Sequence, residues 1–295
     1  MTHEATLELE GVFMPSAGVG SRAPLRLRSE ARSLGLLGNW ESLFQALVGT
    51  GSLGPGSARV LGAPLESALA GGVVGFAPCD PPLPPNLRVS QYLEHAARLS
   101  HGSPAFAARD AQRALRRYGL TDLASQKLAS LAPHQARALG IAQATLTSPP
   151  LVCLEEPLRG LTAPSADYVA RLCAEAASEA CLIVSAARPE AVGPERRLLE
   201  GCDELFQLEQ GELVFSGPPR KLFLPGERYR LTVAGAPLAP FAAHLAESGC
   251  QIQTRGRTGH YVVLLPAGGN TDLLLDAALA HGLVVLELEP VLGTL

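Results

Sequence analysis

The chain has 295 residues, 47% of them hydrophobic and 18% charged, which is enough apolar material for a buried core and excludes global disorder. A formal charge of −4 argues against a basic surface built to hold nucleic acid. The longest weakly polar stretch, 67–78, is too short and too glycine-rich to cross a bilayer, and no secretory signal is expected at the start of the sequence.

Taken in chain order, residues 6–10 and 24–28 alternate apolar and polar with period two and predict strands. The apolar run 33–37, ending at Gly38, predicts a buried strand. A helix beginning at Ser42 follows, with Leu43, Phe44, Leu47 and Val48 on one face and Gly49 as its stop. Strands are predicted at 59–61 and 72–76, giving a βαβ rhythm. The proline-rich segment 78–88 is neither helix interior nor central strand and reads as a stiff connector. Three helices are then expected: 91–99 capped by Ser90, one opened by Pro104 and ending near Gly119, and one opened by Pro133 and reaching Leu146. The β/α rhythm resumes with a strand at 151–154, a helix from Pro164 to Glu179, a strand at 181–185 and a hairpin turning at 210–211. From residue 227 the order is β-α-β-β-α-β, that of a ferredoxin-like split unit. The expected division is therefore 1–226, an α/β core with a helical insert at about 84–147, and 227–295, a small α+β domain.

The six cysteines show no CxxC and no regular framework, and read as reduced core thiols of a cytoplasmic protein. His244, His260 and His281 lack metal-ligand spacing and partner cysteines, so no metal site is expected. Gly49-Thr50-Gly51-Ser52-Leu53-Gly54 fits GxGxxG, but it follows a helix and precedes a strand, the reverse of the dinucleotide-binding context.

Four segments carry a family resemblance: Leu36-Leu37-Gly38 with the helix after it, 75–81, 131–144, and 151–157 with Gly160-Leu161. In this order they resemble the ATP-binding subunit of an ABC transporter, more narrowly the type serving bacterial exporters whose permease is a separate chain. The resemblance runs over essentially the whole chain. It implies a P-loop NTPase-like (RecA-like) core with a helical insert, a polytopic membrane permease as partner, an active sister ATPase or a second copy beside it, and a place on the inner face of the cytoplasmic membrane.

Each nucleotide motif of that family is degenerate here. The phosphate loop needs glycines and a lysine, whose amides and ammonium hold the phosphates. Gly38, Asn39, Trp40, Glu41 and Ser42 stand there instead, about four residues shorter than the motif's spacing requires. The only lysines in the chain, Lys127 and Lys221, follow no glycine-rich turn. Trp40 reads as an aromatic plug. Glu155 and Glu156 occupy the Mg²⁺-holding and water-polarising positions, the first one methylene too long. Cys79 replaces the glutamine, Ala187 the histidine and Thr162 the aspartate of the family's remaining contacts, and Phe13 is the nearest aromatic for adenine. The signature stretch is Leu131, Ala132, Pro133, His134 and Gln135, in which Ala132 lacks a hydroxyl and Pro133 an N–H, leaving Gln135 as the match. The expectation is a catalytically inactive subunit with no bound ATP or Mg²⁺, structural or regulatory in an export complex, docking through the connector and insert with Leu83, Leu87 and Tyr92 as anchors. The alternative is an active ATPase that recruits Arg32, or an arginine from elsewhere, to the phosphates and uses Glu156 as base. A third option is a cytoplasmic scaffold whose small domain mediates homodimerisation.

Overall fold

The computed structural model describes residues 4–13, 24–101, 103–187, 193–209, 211–223, 228–236, 238–255, 259–266 and 270–290. Contacts divide the chain into two units, Met1–Pro219 and Arg220–Leu295. The division thus falls ahead of residue 226, which itself lies outside the described residues.

In the first unit, β1 (Leu7–Val12) pairs antiparallel with β2 (Leu25–Ser29), placing Leu9 opposite Leu27. The period-two alternation buries Leu7, Leu9, Leu25 and Leu27 and turns Glu10, Arg26 and Arg28 outward. β3 (Ser33–Leu37) leads into α1 (Glu41–Leu47). β4 (Ser57–Val60) and β5 (Ala63–Pro64) complete a four-stranded sheet of order β2-β1-β4-β5. The helix α2 (Leu65–Ala70) has no counterpart in the sequence reading. It is six residues long and buries only Ala68, too little for a helical period to show.

β6 (Val74–Ala77) begins the passage into the insert, whose helices are α3 (Val89–His101), α4 (Pro104–Arg117) and α5 (Pro133–Ala144). Gly75 fixes one junction: a Cβ there would lie 1.9 Å from the Ala144 carbonyl oxygen, so β6 approaches the end of α5 only with glycine. α3 starts at Val89 rather than after a Ser90 cap. The first N–H groups of that helix are met by backbone instead, Val89 donating to Gln126 O and Ser90 to Ala124 O, which makes a side-chain cap unnecessary.

The chain then returns through β7 (Leu151–Leu154), α6 (Ala163–Glu179), β8 (Cys181–Ala186), α7 (Pro194–Glu200) and the hairpin β9 (Glu204–Glu209) and β10 (Glu212–Gly217). These strands build a six-stranded sheet of order β10-β9-β3-β8-β7-β6, parallel throughout except for β10. Every residue of β7 is buried, so its signal is a continuous apolar run rather than alternation. The short α8 (Pro219–Leu222) lies at the division between units.

The second unit runs β11 (Arg228–Ala234), α9 (Leu238–Glu247), β12 (Gln251–Arg255), β13 (His260–Leu264), α10 (Asp272–Ala280) and β14 (Val284–Pro290). Its antiparallel sheet has the order β12-β13-β11-β14, the ferredoxin-like arrangement expected. Leu231, Val233, Tyr261 and Val263 from the sheet meet Phe241, Leu245 and Leu274 from the helices in one core. His244 and His281, far apart in sequence, come together here with Nδ1 of the first 3.1 Å from Nε2 of the second.

Candidate functional site: a cleft at the carboxyl ends of the parallel strands

Parallel α/β sheets bind ligands beyond the carboxyl ends of their strands, where loops diverge. Such a cleft of about 590 Å³ opens here. β3 delivers Gly38, Asn39, Trp40 and Glu41 to it, β6 delivers Pro78, Cys79 and Asp80, β7 delivers Glu155 and Glu156, and β8 delivers Ser185 and Ala187. Residues nominated from four separate segments thus line one space.

The β3–α1 turn is closed upon itself. Gly38 has φ of +93°, and a Cβ there would lie 2.1 Å from Leu208 O, so this position requires glycine for conformation and for space. Its N–H donates to Ala186 O at 3.0 Å, and the Glu41 N–H donates to Asn39 Oδ1 at 3.1 Å. Two amides of the turn are therefore spent within the protein. Trp40 points inward: it is 2% exposed, packs with Leu36, Leu43 and Phe44, and donates its indole N–H to Leu37 O at 2.9 Å. α1 begins at Glu41, one residue before the expected Ser42.

The charge of the cleft is mostly negative, with Glu41, Asp80, Glu155 and Glu156 against Arg159. Neither lysine of the chain lines it. Burial pushes the Glu155 carboxyl above its ordinary value; Glu156 and Glu41 push the same way, while the Cys79 N–H, donating to Glu155 Oε2 at 3.3 Å, opposes. Glu156 adopts φ of +40°, unusual outside glycine, and its N–H donates to the buried Ser185 hydroxyl oxygen at 3.0 Å. Its Oε2 lies 2.8 Å from an Arg159 guanidinium nitrogen, an ion pair without hydrogen-bond alignment. Arg159 also reaches Asp80 Oδ2 at 3.1 Å, and Asp80 Oδ1 takes Arg137 of α5 at 3.1 Å. A ladder of four charged groups consequently runs from the end of β7 through the connector into the insert.

No family model matches the chain. Over 113 residues it is 32% identical to the phosphonates import ATP-binding protein PhnC 2 of Synechococcus sp. (strain JA-2-3B'a(2-13)). That stretch covers 38% of this chain and 40% of the relative, so the match spans well under half of either. Among solved structures, cbiO1 from Clostridium perfringens, part of the ABC transporter complex cbiONQ, superposes with a TM-score of 0.62 at 18% identity, covering 75% of this chain and 91% of that one. MJ1267, an ATP-binding cassette of an ABC transporter in its ADP conformation, gives 0.60 at 13% identity over 75% and 95% of the two chains. This chain has the ATP-binding-cassette fold.

Within the cassette, the residues present do not fit a magnesium nucleotide. A triphosphate calls for cations and free amides, whereas this turn spends two of its N–H groups internally and the surrounding walls carry an excess of carboxylates. The cleft's guanidinium, Arg159, is already shared between Glu156 and Asp80. Arg32 does not serve as the substitute cation. It lies at the opposite end of β3 from Gly38, about 20 Å of strand away, and does not line the cleft. Phe13, just beyond β1, is likewise outside the lining.

The signature stretch stands apart from this cleft. Ala132 precedes α5 and donates its N–H to Gln135 Oε1 at 2.9 Å, so the matching glutamine is occupied in capping its own helix. His134 sits in a second depression of about 440 Å³ with Tyr168 edge-on to its ring and Ser165 Oγ 3.4 Å from Nδ1. Thr162, at the start of α6, bonds Ser165 at 3.2 Å. Of the nominated anchors, Leu83, Leu87 and Tyr92 are all half-buried, and the Tyr92 hydroxyl donates to Gln143 Oε1 at 2.8 Å within the insert. The insert's most exposed large apolar side chains are Leu99, at 91%, and Phe106, at 58%. Sequence reasoning missed Arg159, Asp80 and Arg137. The i, i+3 spacing of Glu156 and Arg159 was the available signal, but the other two meet only through the fold.

Proposed function

We propose that this cassette is a non-hydrolysing subunit, structural or regulatory, of an ABC transporter complex at the inner face of the cytoplasmic membrane. The observation that carries the reading is a β3–α1 turn that spends two of its N–H groups within the protein and faces a carboxylate-rich cleft. A hydrogen bond to a charged group contributes about 1.5–3 kcal/mol, and micromolar affinity amounts to about 8 kcal/mol. Loss of the lysine and the internal use of two amides remove several such contacts at once. Carboxylates beside the phosphates add repulsion.

Each composite site of a cassette dimer takes a phosphate loop from one subunit and a signature from the other, as the family resemblance implies. This chain lacks competent versions of both, so a pair containing it has no complete site. Its contribution is then mechanical. The connector carries Asp80, which is tied to the core by Arg159 and to the insert by Arg137, and this bracing holds the permease-facing surface in one arrangement. Export as the direction of transport rests on the whole-chain resemblance; the relative matched over 113 residues is by name an import protein. No described helix is long and apolar enough to cross a membrane; in this reading the permease provides the attachment.

Affinity purification from detergent-solubilised membranes tests the docking. A polytopic permease, alone or with an intact ATPase, is expected to accompany the chain. Recovery of the chain only as a soluble species, with no membrane protein, would remove the transporter assignment.

A further inference from the structure

We propose that His244 and His281 form a binding site for a borderline transition-metal ion, Zn²⁺, Ni²⁺ or Cu²⁺, that staples α9 to α10. The two imidazoles face each other across the helix pair with Nδ1 of His244 3.1 Å from Nε2 of His281 and ring planes at 75°. Two imidazole nitrogens bound to one ion at about 2.0–2.1 Å each, with an angle near tetrahedral, lie about 3.0–3.4 Å apart. The observed separation, that of a hydrogen bond between the rings, falls within this range, so ring rotation rather than helix movement brings both nitrogens onto one ion. Both rings are half-buried, and the fully buried Phe241 packs edge-on against His281, which limits its rotation.

A second observation concerns charge. His244 is in the last turn of α9, and the His281 N–H caps α10 by donating to Ala277 O and Ala278 O. Neither last turn carries a lysine or arginine, so no fixed cation of either last turn competes with a bound metal ion. On binding, the proton shared between the rings moves to the other nitrogen of the ring that holds it, so a neutral pair releases no net proton. Among the described residues no third histidine, cysteine or carboxylate joins the pair. Water fills the remaining positions, and the site is of the exchangeable, micromolar kind. Imidazole donors select these ions over Mg²⁺ and Ca²⁺.

The test is calorimetric titration of the full-length, tag-free chain with NiCl₂ or ZnCl₂ in a non-chelating buffer. One ion per chain is expected, with affinity reduced roughly tenfold or more in His244→Ala and in His281→Ala and unchanged in His260→Ala. Absence of binding up to millimolar metal overturns the site, as does undiminished binding in both single variants. Should the variants fold poorly, X-ray absorption of the zinc-loaded wild-type chain decides: two imidazole ligands with oxygen neighbours support the site, and a sulfur-dominated or imidazole-free shell rejects it.

Discussion

The guanidinium of Arg159 lies 2.8 Å from Oε2 of Glu156, a carboxylate whose side chain is 17% exposed. Glu156, which the family resemblance sets at the water-polarising position, is thereby paired with a cation three positions further on, which also holds the connector through Asp80.

Removing that cation has a defined cost. Arg159→Gln leaves Glu156 nearly buried and uncompensated, a loss between those of exposed and buried pairs, about 1–2 kcal/mol. Urea denaturation of wild type and variant measures it. The double variant Arg159→Gln, Glu156→Gln is expected to recover part of the loss, because no buried charge remains; strict additivity of the two single effects would show that the residues do not interact.

Glu155 gives a pH signature. Its folded-state pKa is raised by burial above the ordinary value near 4.5. A raised carboxyl contributes stability that is fully present below the unfolded value and lost as pH rises through the folded one. Glu155→Gln is therefore expected to be more stable than wild type at pH 7 and to lose that advantage as pH falls below 4.5. The glutamine oxygen still accepts the Cys79 N–H. Thermal unfolding at pH 7 and pH 4 checks this; a variant less stable at pH 7 would contradict it.

The closed turn should behave as core. Trp40→Ala is expected to destabilise by about 3–5 kcal/mol, the range for truncating a buried aromatic. Gly38→Ala forces a Cβ to within 2.1 Å of Leu208 O at φ of +93°, for which about 2–4 kcal/mol is expected. Neutral outcomes in denaturant unfolding would show the turn to be open and adaptable.

Thiol reactivity follows burial. Cys202 is pushed up to about 12 by burial, with Asp203 adding to it, and Cys153 and Cys173 are raised further, also mainly by burial. All six cysteines are free, and Cys181 is the half-buried one. A native chain exposed to a disulfide reagent is expected to react slowly, Cys181 first, and to release the buried thiols on unfolding. Rapid modification of Cys153 or Cys173 in the native chain would contradict the packing.

Much of this fold was legible because its signals are local. β1 and β2 alternate, β7 is an unbroken apolar run, and Pro104, Pro133 and Pro164 mark helix starts. α2 and α7 escaped notice, being six and seven residues long with one buried side chain each. The cleft was half legible. Gly38 through Glu41, Cys79, Glu155 and Glu156 were each found by matching their place after a strand to the motifs of the family the sequence resembles. The Asp80 bridge to Arg137 and Arg159 was not, because it spans 57 and 79 positions and no periodicity encodes such a meeting. For the same reason His244 and His281 read as isolated residues until the two helices were placed side by side.

Isothermal titration of the purified full-length chain with Mg·ATP tests the proposal of a non-hydrolysing cassette most directly. No saturable heat is expected up to millimolar nucleotide, and Arg159→Gln is expected to leave that unchanged, since the carboxylates remain. Stoichiometric binding at micromolar Kd, weakened by substitutions at Gly38 or Glu156, would show that the cleft holds nucleotide and that the chain is a working ATPase subunit.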